Sequence, residues 1–179
     1  MLHMLIDIVS KNGNLLMNIP QRADGTIDEH AEILLDDFAA WMKINGEAIF
    51  ATRPWLIYGE GPSQLPRSNL NDLKSPMTSK DIRFTTKGDL LYAIVLGWPR
   101  NGKVAVRSLA KPAGQIATIN LLGCSGTLEW KQADDALVIN LPAGKPCGHA
   151  ITFKIAAAGS ASLIPARGST IGVPSPSGR

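Results

Sequence analysis

LIDIVSKNGNLLMNIPQRADGTIDEHAEILLDDFAAWMKINGEAIFATRPWLIYGEGP, residues 5–62, decides how this chain is read. Leu2, Leu5, Ile6 and Val9 fall at helical spacing, and Asn12-Gly13 supplies the left-handed stop that a helix C-terminus favours. Asn14 to Ile19 is a short, nearly continuous apolar run, the pattern of a strand covered on both faces in a parallel sheet. Pro20 blocks the ladder, and Gln21 to Gly25 reads as a polar loop with an Asp24-Gly25 turn. Next comes a helix start: Thr26 with Glu29 forms a capping box, or Asp28 caps alone, and the sequence does not decide between them. Ala31, Leu34, Leu35, Phe38, Trp41 and Met42 make one apolar stripe, with Glu32, Asp36, Asp37 and Lys43 off it. Asn45-Gly46 ends the helix. The piece is helix–strand–helix, the grammar of an α/β fold, and it opens in mid-element. The chain therefore reads as the back part of a larger protein.

Outward from this stretch the grammar changes. Residues 63–80 are rich in Pro, Ser, Asn and Lys without a period, as in a linker or surface loop. From Ile82 to Ile155 period-two runs take over: Val104 and Val106, Leu128 and Trp130, Leu137, Ile139 and Leu141, then Ile151, Phe153 and Ile155. Leu90 to Leu96 is apolar throughout. Such runs, broken by Gly, Pro and Asp-rich turns, predict an antiparallel β-sandwich over 81–155. Residues 156–179 are Ala, Gly, Ser and Pro with few large side chains, too little apolar area to offset an ordering entropy of ~1–2 kcal/mol per residue. A flexible tail is expected there.

The formal charge of +3 is modest and the cations are scattered, so no basic stripe points to nucleic acid. No run approaches the ~18 apolar residues of a membrane span. Cys124 and Cys147 allow a disulfide, but two half-buried thiols are the simpler reading, and their spacing matches no metal site.

Three phrases give the first stretch a specific resemblance: VSKNGNLLMNIP (9–20), ADGTID (23–28) and NGEAIFATRPWLIYGEGP (45–62). Together with IRFTTKGDLLYAIVLGWP (82–99) they resemble the α-L-fucosidases of glycoside hydrolase family 29, from the end of the catalytic barrel into the C-terminal sandwich. The departures are mild: Met17 where leucine is commoner, Gln21 where proline is, Phe50 where tyrosine is, and Ala51 where glycine is. The resemblance implies the last β/α unit of a (β/α)8 TIM barrel in residues 1–62, followed by an all-β antiparallel sandwich. A whole barrel needs roughly 250 residues, so nearly all of it is expected before Met1. The implied chemistry is retaining hydrolysis of terminal α-L-fucosyl linkages in fucosylated glycans, by an aspartate nucleophile and a glutamate acid/base ~5 Å apart, without a cofactor. In the family both carboxylates lie upstream of the matched stretch. No catalytic residue is expected here, and the chain alone is expected to be inactive. Localisation stays open, with secreted, periplasmic or lysosomal settings all in keeping with the family.

Among candidate residues, Asn18, Gln21 and Arg22 stand at the expected C-terminal end of the strand, where barrel loops build sites. Asn18, a polar group in an apolar strand, is expected to be hydrogen-bonded and structural if buried. Glu47, Trp55 and Tyr58 are expected at an interface between barrel and sandwich, Glu60 in the same tie, and Asp7, on the first helix, in a polar contact with a neighbour. Asp36-Asp37 and Asp134-Asp135 read as solvated pairs, and His3, His30 and His149 as isolated surface or packing residues. The rival reading is a carbohydrate-binding module, in which tryptophans such as Trp98 and Trp130 present flat faces to sugars; the patterning turns Trp130 inward instead. The uncovered edges of 14–19 would also favour self-association when the rest of the barrel is absent.

Overall fold

In the computed structural model, residues 1–63, 77–159 and 163 are described. Two helices, α1 (Leu2–Ser10) and α2 (Glu29–Asn45), precede β1 (Arg53–Glu60), β2 (Ile82–Lys87), β3 (Leu90–Val95), β4 (Lys103–Val106), β5 (Ile116–Leu121), β6 (Trp130–Gln132), β7 (Leu137–Asn140) and β8 (Ile151–Ala157). One sheet runs β1-β2-β3-β8-β5 and the other β4-β7-β6, with antiparallel pairing throughout. They face each other across one apolar core, and the helices cover the outer face of the larger sheet, giving three layers.

Strand β3 explains this layering. A strand turns successive side chains to opposite faces. Leu91, Ala93 and Val95 enter the core between the sheets, while Tyr92, Ile94 and the following Leu96 enter a second core under the helices with Trp41 and Ile6. The unbroken apolar run 90–96 is the signature of burial on both faces. β2 and β8 alternate differently: Ile82, Phe84, Ile151, Phe153 and Ile155 go to the sandwich core. Arg83, Thr85, Thr152 and Lys154 hold the intervening positions.

The helix ends follow their signals. Asn12 takes φ 65° just past α1, and the Gly13 N–H reaches the Ile8 carbonyl. At α2 the open choice of cap is decided for Asp28, whose carboxylate accepts the Ala31 N–H at 2.9 Å. Thr26 instead donates its N–H and hydroxyl to Asp24, closing the preceding turn.

Three readings need correction. The strand expected at 14–19 is absent: Leu15, Met17 and Ile19 are half-buried, but Asn14, Leu16 and Asn18 are exposed, Leu16 by 90%. A strand exists through its ladder, and among the described residues this segment's surroundings offer only the isolated bridge Gln21–Ile27. The larger sheet also begins before the expected linker, because Arg53–Glu60 pairs with β2. Finally, the strand at the sandwich's end continues to Ala157, and Leu163, inside the expected tail, is buried and accepts the Trp55 indole N–H at 3.0 Å. The rest of the tail beyond 159, and most of the expected linker (64–76), lie outside the described residues.

Candidate functional site: the seam between helices and sheet

The polar groups of the molecule converge where α1 and α2 meet the larger sheet. Arg83, 1% exposed, projects from β2 toward α1, and its Nε donates to Asp7 Oδ1 at 2.5 Å. The other Asp7 oxygen takes Lys11 Nζ at 2.6 Å. Both cations lie over the Tyr58 ring of β1, at 4.5 Å for Lys11 and 5.6 Å for Arg83. The sequence permits this because Ile82-Arg83-Phe84 alternates, so the arginine turns away from the sandwich core that its neighbours fill. A buried ion pair is weak evidence of stability, but losing one partner is severe, since a charge is then left without compensation.

A second tie sits at the C-terminal end of α2. Glu47 accepts Lys154 Nζ at 2.9 Å and the Tyr92 hydroxyl at 3.4 Å. Burial and the neighbouring carboxylate raise the Tyr92 phenol above its usual value, while the bond to Glu47 raises the Lys154 ammonium. Thr85 donates to the Ala48 carbonyl at 2.7 Å, and the buried Trp41 indole donates to the Ala150 carbonyl at 2.7 Å. Two further carboxylates knit loops: Asp81 receives the N–H and hydroxyl of both Ser63 and Thr78, and Glu60 receives the Arg107 and Ser108 N–H groups and the Ser108 hydroxyl.

In this arrangement each seam and loop carboxylate has hydrogen-bond donors on its oxygens. A glycosidase pair needs carboxyl groups facing a sugar, one of them kept protonated. Here Asp7, Glu47, Glu60 and Asp81 are all committed to donors, whereas Asp36-Asp37 and Asp134-Asp135 are exposed. A cleft of about 210 Å³ lies between the start of α1 and α2, lined by His3, Asp37, Phe38 and His149. Burial lowers the pKa of His3, and His149 approaches Asp37 at 3.8 Å on the surface.

The residues singled out from sequence divide among three places. Glu47 and Tyr58 lie in the seam, whereas Trp55, expected at that interface, turns to the opposite face of β1 and sits in the sandwich core against Phe84. Asn18, Gln21 and Arg22 lie together on the 14–28 segment, all exposed, so the burial that would oblige Asn18 to be hydrogen-bonded is not met in this chain. Asp81, Arg83 and Lys154 were missed. For Arg83 and Lys154 the available signal was a charged residue at the off-phase position of an apolar strand.

The chain is an antiparallel sandwich that carries a pair of helices on one face, held there by apolar packing and by charged and polar contacts. Comparison with known proteins gives the family. The pattern of the "Alpha-L-fucosidase" family matches residues 1–47, and that of the "Alpha-L-fucosidase C-terminal domain" matches residues 74–156. Human tissue α-L-fucosidase is 35% identical over 157 residues, 84% of this chain and 30% of that protein. Rat plasma α-L-fucosidase is 36% identical over 143 residues, 77% of this chain and 27% of its own length. Among solved structures, the Thermotoga maritima α-fucosidase superposes with TM-score 0.66 at 26% identity, covering 86% of this chain and 33% of that one. The chain belongs to the α-L-fucosidase family, in its C-terminal part, and spans about 30% of the length of the curated relatives it matches.

Proposed function

We propose that this polypeptide forms the closing β/α unit and the bracing sandwich of a retaining α-L-fucosidase that releases terminal α-L-fucose from fucosylated glycans. The observation that carries the reading is the apolar segment 14–19, set between two packed helices with Leu16 left 90% exposed. Its exposures alternate, as a strand's do, and what is missing is a ladder on either side. Neighbouring barrel strands would supply that ladder. Leu16 and Asn18 would then face the barrel interior, and Gln21 and Arg22 would stand on the rim where (β/α)8 enzymes bind substrate. The structure of the Thermotoga maritima relative in complex with fucose supports a fucosyl ligand for such a site. The reactive aspartate and glutamate would come from the barrel, so these 179 residues alone have a supporting role.

The sandwich acts as the brace: through Asp7–Arg83, Glu47–Lys154 and Thr85–Ala48 it fixes the position of α1 and α2, and hence of the segment between them. The sugar-binding-module alternative gains nothing from the tryptophans. Trp41 and Trp55 are buried, and Trp98 and Trp130 pack against the sandwich core.

The test is hydrolysis of a chromogenic α-L-fucoside. The chain by itself is expected to release no fucose, and the same chain joined to the barrel portion of a relative is expected to release it. Turnover by the isolated chain, or silence of a folded fusion, overturns the proposal.

A further inference from the structure

Cys124 and Cys147 stand apart from every role described so far. Both are free and half-buried, and both pack against the sandwich core from loops, one after β5 and one before β8, with the cysteines 23 residues apart. The two loops touch at the residue just before each cysteine: a Cβ added to Gly123 would lie 3.0 Å from Pro146 Cβ. Cys147 also reaches under α2, where its Sγ donates to the Ala150 carbonyl at 3.1 Å and lies 3.8 Å from Asn45 Nδ2. The same added Cβ at Gly123 would meet Ile44 at 2.8 Å. Two thiols, the end of α2 and both loops therefore meet in one spot. Burial pushes the Cys147 thiol up, and a smaller push comes from Cys124, in keeping with two sulfurs within electrostatic reach of each other.

We propose that Cys124 and Cys147 are a disulfide-forming pair, a modification site at which a small-molecule disulfide such as oxidised glutathione staples the two loops beneath the end of α2. The exchange balances in two steps. The Cys124 thiolate, after losing its proton to solvent, attacks one sulfur of the oxidant and expels one glutathione thiolate, leaving a mixed disulfide. The Cys147 thiolate then attacks the Cys124 sulfur and expels the second. Two protein thiols are oxidised, the oxidant is reduced to two thiols, and the protons leave through water. Cys147 takes the second attack because its Sγ is held under α2, bonded to the Ala150 carbonyl and near Asn45. Closure encloses β6 and β7 and fastens the loop after β5, in the larger sheet, to the loop that follows β7.

The experiment treats the folded 179-residue chain with oxidised glutathione at slightly alkaline pH, followed by thiol titration in denaturant, peptide mass mapping and a thermal melt. The expected result is loss of both titratable thiols without retained glutathione, a cross-linked Cys124–Cys147 peptide, and a Tm raised by oxidation and restored by dithiothreitol. Cys124→Ser and Cys147→Ser should each stop at a single glutathione adduct with no rise in Tm. Thiols that stay unreacted, adducts that persist on both cysteines of the native chain, or covalent dimers as the product would each overturn the proposal.

Discussion

The two faces of the five-stranded sheet are built on opposite principles. Toward the three-stranded sheet its buried side chains are apolar, among them Phe84, Leu91, Phe153 and Ile155. Toward the helices it mixes Tyr92, Ile94 and Leu96 with Arg83, Thr85 and Lys154, each reaching a named partner on α1, α2 or the turn after α2. Apolar burial is non-directional and tolerates sliding, whereas an ion pair or hydrogen bond fixes a position. The first face makes a domain; the second sets where another element must sit.

Mutations can separate the two principles. Trp41→Ala should have the largest effect, about 3–5 kcal/mol, the usual penalty for truncating a buried tryptophan. It also leaves the Ala150 carbonyl without its indole donor. Chemical denaturation would check it, and an unchanged midpoint would mean that the helix layer contributes nothing to folding. Asp7→Ala comes next, about 3 kcal/mol, because it strands a buried guanidinium. The expected value stands at the low end of that class because Arg83 keeps its bond to the Ile82 carbonyl. If Asp7→Ala costs no more than Lys11→Ala, measured by the same titration, the buried pair is not the clamp.

Smaller contrasts sharpen the point. Thr85→Val should lose about 1 kcal/mol with its bond to Ala48, whereas Thr152→Val should lose nothing, because the buried Thr152 hydroxyl has no partner among the described residues. Equal thermal shifts for the two would show that hydroxyl partnering on this face does not matter. Ala51 holds φ 57°, so Ala51→Gly should gain stability, by up to about 1 kcal/mol, at an exposed position where no packing is lost. A fall in Tm would count against backbone strain there.

The smallest effect is one of pH. Burial lowers the His3 pKa below 6.5, so the unfolded chain binds this proton more readily than the folded one. Stability should therefore be higher above pH 6.5 and fall as pH drops through that value toward the folded pKa. His3→Gln should flatten that part of the profile, and an identical slope in the variant would remove His3 as its cause.

Much of the sandwich was legible in the sequence because its strands announce themselves by period two, as in Ile151, Phe153 and Ile155. Arg53–Glu60 was not, since its alternation follows directly on a helix motif and was read with it. β5 was also passed over: Ile116, Ile119 and Leu121 break strict alternation where the pairing with β8 shifts register. The helix ends were read locally because capping is local, although only geometry chose Asp28 over Thr26. Asn14–Ile19 failed for the opposite reason: its pattern is that of a strand, and strand formation depends on partners its own residues cannot supply. The seam was half legible. Glu47 and Tyr58 stood out by position, but Arg83 and Asp7 lie 76 residues apart, and no local pattern pairs them.

Because β3 is immersed on both sides, the sandwich is not separable at the place where sequence similarity divides the family. A gene cut at residue 74, the start of the second matched segment, would remove β1 and both helices together. The excised product would present the backbone of β2 as a raw edge and Tyr92, Ile94 and Leu96 as a greasy plane in water. Recombinant sandwiches of this kind are better begun ahead of α1, so that the protein carries its own lid into solution.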